Sequence, residues 1–167
     1  MIKSFVRTVR NVIIIAILVI VGYEVGDYFI DLDDIIGGGC DTELCCDDCD
    51  TVAITRIIDG DTVRSPLGQI RIYGADTPEV GQRCSQEATD MMRQLAGNAV
   101  RVESGSREKD PFERLLFYLY TKDGESIDEV LLREGLAVAW MKDGQHRHYL
   151  SNVEAQAREN RVGCLWK

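Results

Sequence analysis

Hydrophobic and polar positions follow three different patterns along the chain. An unbroken apolar run, Val12–Tyr23, is followed by a long acidic stretch, and beyond it apolar residues recur with the short periods of strands and helices. We therefore divide the chain into a hydrophobic leader, residues 1–23, a polar tether, residues 24–50, and a folded domain, residues 51–167.

The domain alternates between strand-like and helix-like segments. β-Branched and apolar residues predict five short strands, at residues 51–58, 62–63, 69–73, 99–103 and 114–121. Helical periodicity predicts three helices, at residues 85–95, 126–135 and 149–161. One helix is inserted between the third and fourth strands, and two follow the fifth. This order predicts an α+β fold, mainly β, in which helices pack on a small barrel.

The leader combines a basic start with an apolar run. Lys3, Arg7 and Arg10 precede the run, a pattern typical of a signal peptide or a short membrane anchor. A full span needs about 20 apolar residues, more than this run has, but no clear small-residue cleavage site follows. We favour an uncleaved anchor helix over a cleaved signal. Either interpretation predicts that the domain lies on the extracytoplasmic side, membrane-anchored or secreted.

The formal net charge of −9 is unevenly distributed. The tether carries ten acids and no base, and the leader three bases and no acid, which leaves a net charge of −2 for the domain. The acidity therefore does not exclude an anionic substrate of the domain. Affinity for such a substrate would depend on locally placed arginines.

Four cysteines, Cys40, Cys45, Cys46 and Cys49, lie within the tether, which also contains a run of three glycines. The glycines and acids predict a flexible, self-repelling segment. On the extracytoplasmic side the cysteines are expected to form disulfides, in any of three pairings. A zinc knot and a lipid-modified Cys40 are the alternatives.

Several residues of the domain have the chemistry of a metal-assisted hydrolase. Asp61 begins one strand and Asp76 follows another, so the two carboxylates meet if these strands pair. Together with the carbonyl oxygen of Thr77, they offer the oxygen ligands that calcium prefers. Glu79 lies three residues beyond Asp76 and is a candidate general base.

Two arginines complete the candidate site. Arg71 and Arg114 carry guanidinium groups, which match the oxygens of a phosphoryl group and stabilise the negative charge that develops on them. Each of these residues alone is unremarkable, and their order and spacing together carry the hypothesis.

The motifs resemble the staphylococcal-nuclease, or thermonuclease, family. The resemblance rests on residues 57–63, on Arg71 followed by Asp76-Thr77-Pro78-Glu79, and on Asp110 followed by Arg114, and it extends over about 51–166. It implies a five-stranded OB-fold barrel with three helices. It also implies that Asp61, Asp76 and Thr77 bind one calcium ion, and that Arg71, Glu79 and Arg114 catalyse hydrolysis of DNA and RNA.

The chain departs from the family pattern next to Arg114. Phe112 stands where the family usually has tyrosine, and Glu113 where it has glycine, so Glu113 would repel substrate if it faced the site. Phe112 and Trp140 are candidate substrate contacts. Cys84 and Cys164 are either two separate thiols or a disulfide between the first helix and the C-terminal segment.

Three functions remain open from the sequence. The first is an exported or tethered calcium-dependent nuclease that acts on single-stranded DNA and RNA. The second is a non-catalytic nucleic-acid-binding module of the same fold, which the complete set of five charged side chains disfavours. The third is a metal-binding surface protein centred on the tether. Base preference, biological role and oligomeric state have no signature in the sequence.

Overall fold

The structure, a computed structural model, describes residues 40–167. The predicted leader or anchor helix of residues 1–23 and the first part of the predicted tether, residues 24–39, lie outside the described residues. Within residues 40–167, no helix is both long enough and apolar enough to cross a membrane.

The strands of the described chain are short and form two sheets. They are β1 (Asp50–Ala53), β2 (Arg56–Ile57), β3 (Thr62–Ser65), β4 (Gly68–Ile72), β5 (Ala75–Asp76), β6 (Ala99–Lys109), β7 (Leu115–Tyr120) and β8 (Val138–Ala139). The larger sheet has the order β1-β6-β7-β4-β3-β2, and β5 pairs with β8 in the smaller one. All neighbours are antiparallel except β4 and β7.

The larger sheet curls on itself, and the connection between β1 and β2 shows why. Only Ile54 and Thr55 separate these strands, yet β1 and β2 lie at opposite edges of the sheet. Two connecting residues span about 10 Å at most, so the edges must lie close together. The predicted single strand of residues 51–58 is therefore divided where it changes partner, from β6 to β3.

The predicted five-stranded barrel is confirmed in its coarse form, as an α+β fold with a curled, OB-like sheet. If β1 and β2 are counted as one strand, the larger sheet contains the five predicted strands. The pair of two-residue strands, β5 and β8, was not predicted. The strand predicted at residues 99–103 extends to Lys109 as β6, since its last residue, Lys109, pairs with Leu115 of β7 after a register shift.

Helices close the open side of the sheet. They are α1 (Ser85–Ala96), α2 (Ile127–Arg133), α3 (Arg147–Glu159) and the short α4 (Gly163–Trp166). The first three correspond to the predicted helices, and α4 was not predicted. From α1, Ala88, Met92 and Ala96 are fully buried at a spacing of four residues, so one face of this helix packs on the barrel core.

The last part of the predicted tether, residues 40–50, packs against the domain and belongs to the same compact unit. A contact at the start of α2 explains why these residues are docked on the domain and do not form a flexible tether. Ser126 Oγ accepts a hydrogen bond from the backbone N–H of Glu129 at 3.2 Å, which is half of a capping box. The Glu129 carboxylate turns away and accepts from the backbone N–H groups of Glu43 and Leu44, at 3.2 and 3.0 Å.

Disulfides join the cysteines in three pairs. The structure pairs Cys40 with Cys45 and Cys46 with Cys49 within the N-terminal segment, and it leaves no free cysteine in the described chain. Bonded sulfurs are not thiolates, which argues against the zinc-knot alternative. A third bond joins Cys84, directly before α1, to Cys164 in α4, the pair that the sequence analysis considered.

We predict that Glu129→Ala lowers the free energy of unfolding by about 2 kcal/mol, because two partly buried N–H groups lose a charged acceptor. Hydrogen exchange of the Glu43 and Leu44 amides should then become fast. Glu134→Ala, at an exposed position at the C-terminal end of the same helix, is the control. Unchanged protection of both amides in Glu129→Ala would contradict the docking of this segment through Glu129.

Candidate active site

The side chain of Asp59 fixes the turn before β3, and with it the position of Asp61. Asp59 Oδ1 accepts hydrogen bonds from the backbone N–H groups of Asp61 and Thr62, at 3.1 and 2.8 Å. Between the two aspartates, a Cβ atom on Gly60 would lie 2.7 Å from Thr77 Oγ1, so only glycine fits this close approach. The Asp-Gly-Asp-Thr motif therefore packs the turn tightly against the segment that contains Thr77.

Asp61 is buried and directed toward Thr77. Its side chain accepts from Thr77 at Oδ2, from the backbone N–H at 3.0 Å and from Oγ1 at 3.2 Å. Its other oxygen, Oδ1, accepts from the Thr62 hydroxyl at 2.9 Å. The structure thus brings together two of the three residues that the resemblance assigns to the metal.

Arg71, in β4, links Asp61 to the third residue, Asp76. Arg71 Nη2 lies 3.5 Å from Asp61 Oδ2 and donates a hydrogen bond to Asp76 Oδ1. Arg71 Nη1 is anchored separately, to the carbonyl oxygens of Ile72 and Ala75 at 3.0 and 3.3 Å. One guanidinium group therefore balances the charges of both carboxylates while the backbone fixes its position.

Burial, and secondarily the nearby charge of Asp61, raise the pKa of Asp76, although Arg71 and Arg114 act in the opposite direction. Two partly desolvated carboxylates at such proximity are a suitable environment for a cation. Among the described residues, no group donates a hydrogen bond to the Thr77 carbonyl oxygen, so it is available as a third ligand. Carboxylate and carbonyl oxygens of this kind would fit a hard ion such as calcium.

Arg114 is held by Asp110, which organises the turn between β6 and β7. Asp110 Oδ2 accepts from Arg114 Nε at 2.6 Å, and Oδ1 accepts from the backbone N–H groups of Phe112 and Arg114. Burial alone would raise the pKa of Asp110, but these hydrogen bonds outweigh it and hold the pKa below its usual value. A charged Asp110 therefore orients Arg114 through Nε, and the outer nitrogens make only one long hydrogen bond, from Nη1 to Thr62 Oγ1 at 3.4 Å.

Glu79 lies on the exposed loop after β5. Its backbone N–H donates to Gln82 Oε1 at 3.1 Å, and its carbonyl accepts from the Gln82 N–H at 2.9 Å, which forms a compact turn. No hydrogen-bond donor of residues 40–167 contacts the Glu79 carboxylate. The carboxylate is therefore free to accept a proton from water.

One cavity collects most of the predicted residues. A cleft of about 540 Å³ is lined by the three predicted catalytic residues and by both predicted substrate contacts: Arg71, Glu79, Arg114, Phe112 and Trp140. A second cavity of about 490 Å³ is lined by Asp76 and Thr77, and Glu79 borders both. Glu79 therefore stands between the cleft with the arginines and the cavity lined by two of the candidate metal ligands.

The cleft also contains residues to which the sequence analysis assigned no role. They are Tyr73, Arg107, Asp110, Lys142 and Asp143. Of these residues, only Asp110 belongs to a motif in the sequence, because it lies four residues before Arg114. Arg107 and Asp143 reach the cleft from the far end of β6 and from the loop after β8, contacts that depend on the tertiary fold.

Glu113 does not face the cleft. Its side chain is 79% exposed, pairs with Lys109 Nζ at 2.8 Å and is absent from the cleft lining. Its backbone has a φ of 64°, in the left-handed region that glycine adopts more readily. Glu113 therefore affects the backbone of the turn rather than the charge of the site.

Comparisons with known proteins agree with this architecture. A family model described as staphylococcal nuclease homologue matches residues 69–167. An "uncharacterized endonuclease" of Escherichia coli O157:H7 is 30% identical over 119 residues, which cover 68% of this chain and 74% of that protein. The thermonuclease of Staphylococcus hyicus is 31% identical over 122 residues, 65% of this chain and 72% of that protein.

A curled sheet that carries a carboxylate pair and two anchored arginines beside one cleft defines a small nuclease-type domain. The chain belongs to the staphylococcal nuclease family, and its enzyme class is that of a nuclease, a hydrolase. The predicted family is therefore confirmed.

We predict that Glu113→Gly raises the free energy of unfolding by about 1 kcal/mol, because glycine removes the strain of a positive φ. Denaturant titration measures the change. Glu113→Ala is the matched control, since it loses the same exposed ion pair, which contributes little, but keeps the strain. Equal stability of the glycine and alanine variants would show that the turn is unstrained.

Proposed function

We propose that the protein is a calcium-dependent nuclease that hydrolyses phosphodiester bonds of DNA and RNA. The observation that carries the proposal is the position of Arg71. It lies against the two acidic metal-ligand candidates, Asp61 and Asp76, and also lines the cleft that contains Glu79 and Arg114. A phosphodiester in this cleft would meet a cation site, two guanidinium groups and a free carboxylate.

Each side chain has a separate task in the proposed reaction. The Glu79 carboxylate takes a proton from a water molecule as the water oxygen bonds to phosphorus. One P–O ester bond breaks, and the departing oxygen takes up a proton, so that charge balances. The ion held by Asp61, Asp76 and the Thr77 carbonyl supplies Lewis-acid stabilisation of a phosphoryl oxygen when bound.

The arginines stabilise the additional negative charge of the transition state. Arg114 is fixed at Nε by Asp110, so its two outer nitrogens can donate to phosphoryl oxygens. Arg71 remains anchored through Nη1. Its Nη2 donates to Asp76, and the side chain lines the cleft in which the phosphodiester would lie.

Single-stranded nucleic acid is the proposed substrate form. The cleft wall contains Trp140, and Phe112 stands on its rim with 78% of its surface exposed. Unpaired bases stack on such rings in a way that tolerates any sequence. The cleft cations Arg71, Arg107, Arg114 and Lys142 outnumber its acids, which suits a backbone of phosphates.

We predict that Glu79→Gln and Arg114→Ala each lower kcat for cleavage of single-stranded DNA by about 10²-fold or more, because each removes one proton-transfer or charge-stabilising group. The assay uses the full-length protein in mild detergent, with calcium or with a chelator. Glu87→Gln and Arg64→Ala, at exposed positions outside the cleft, are the matched controls. Cleavage that persists with chelator or in both site variants would refute the mechanism.

We further propose that residues 1–23 direct the nuclease domain to the extracytoplasmic side, as an anchor or as a cleaved signal. The basic and apolar leader supports this orientation. The three disulfides of the described chain support it as well, since such bonds persist in oxidising compartments.

Protease treatment of intact cells that express the full chain tests this orientation. We expect the domain, detected with an antibody against it, to be degraded or to be found in the medium, while a cytoplasmic marker stays intact. Protection of the domain until the cells are lysed would contradict export.

A further inference from the structure

Asp143 connects the cleft aromatic Trp140 to the strand β6. Its carboxylate oxygen Oδ1 accepts a hydrogen bond from Trp140 Nε1 at 2.7 Å. The other oxygen, Oδ2, accepts from Arg107 Nε at 2.9 Å, so the carboxylate is held from two sides. The hydrogen bond from Arg107 holds the pKa of Asp143 below its usual value. It outweighs burial, which alone would raise this pKa. Asp143 is therefore a charged acceptor, the kind that forms the stronger hydrogen bonds.

We propose that Asp143 is a positioning residue that fixes the Trp140 indole as a platform for a nucleobase of the substrate. This inference rests on the proposed nuclease function. An indole has only one hydrogen-bond donor, so a partner at that nitrogen determines how the ring is turned. The backbone of Trp140 is also fixed, because its N–H donates to the carbonyl oxygen of Gly74 at 2.9 Å. Asp143 therefore restrains the side-chain torsions of Trp140.

The expected effect is on substrate binding rather than on the chemical step. The Trp140 ring centroid lies 5.5 Å from the guanidinium carbon of Arg71, but that arginine has stronger anchors in two backbone carbonyls and Asp76. A loosened indole would therefore leave Arg71 in place. It would weaken stacking of a base, which raises KM and leaves kcat almost unchanged.

A purely electrostatic role of Asp143 predicts the opposite change in KM, a decrease when the carboxylate is removed. Asp143 places a negative charge beside Arg107 and near Lys142, whose Nζ lies 4.8 Å from the Trp140 ring centroid. Removal of that charge would by itself make the cleft more attractive to an anionic strand and lower KM. The direction of the change in KM therefore separates positioning from electrostatics.

Three variants of the full-length protein test the proposal with single-stranded DNA. Asp143→Ala should raise KM by about tenfold and change kcat by less than about twofold. Asp143→Asn keeps an acceptor for the indole and removes the charge, so its KM should stay within about threefold of the unmodified protein. In a Trp140→Phe background, which lacks the indole N–H, Asp143→Ala should have no further effect on KM.

Fluorescence gives a readout that does not depend on activity. The chain has two tryptophans, and Trp166→Phe leaves Trp140 as the single emitter. Trp166 is a suitable site for this change because its Nε1 is buried without a hydrogen-bond partner. In this background, Asp143→Ala should lower the anisotropy of Trp140 and increase its quenching by acrylamide, and Asp143→Asn should not.

The possible failures are distinguishable. A lower KM in Asp143→Ala, an equal effect of this change in the Trp140→Phe background, or unchanged anisotropy and quenching would each overturn the positioning role. If the unmodified protein cleaves no nucleic acid, the proposed function fails. The fluorescence comparison then still decides whether Asp143 holds the indole.

Discussion

Two carboxylates, Asp61 and Asp76, lie next to each other in a partly buried setting, and Arg71 makes this arrangement tolerable. Neighbouring like charges repel each other more strongly in a partly desolvated environment than in water. The guanidinium of Arg71 contacts both carboxylates and is itself fixed by two backbone carbonyls. The β3–β4 hairpin, the tight Asp-Gly-Asp turn and the segment after β5 together maintain this arrangement. The cation binding and the catalysis that we propose for this cleft both depend on it.

Local sequence was sufficient for the parts of the site that arise from short segments. The Asp59-Gly60-Asp61 turn and the motif from Asp76 to Glu79 combine turn residues with carboxylates, so their local structure could be predicted. The chemistry assigned to their carboxylates stays a prediction. The coarse fold could also be predicted, because the periods of strands and helices are clear. The division between β1 and β2 could not be, since it arises from a change of partner strand rather than from composition.

Tertiary contacts account for what the sequence did not reveal. Arg107 lies within the register shift of β6, where strand alternation no longer indicates which side chains face the cleft. Asp143 acts through a tryptophan nitrogen and an arginine from another element. The docking of residues 40–50 depends on the Glu129 carboxylate, which turns away from its own helix to distant backbone N–H groups. A composition rich in acids, glycine and cysteine instead suggested a tether through its full length.

Calcium binding tests the central claim most directly, because it examines the carboxylate pair without the complications of turnover. Calorimetric titration of the full-length protein should show one tight site, together with weak binding to the acidic residues 24–50. Asp61→Asn and Asp76→Asn should each abolish the tight site, and Asp90→Asn, at an exposed position in α1, should retain it. Tight calcium binding that survives in both site variants would contradict the account.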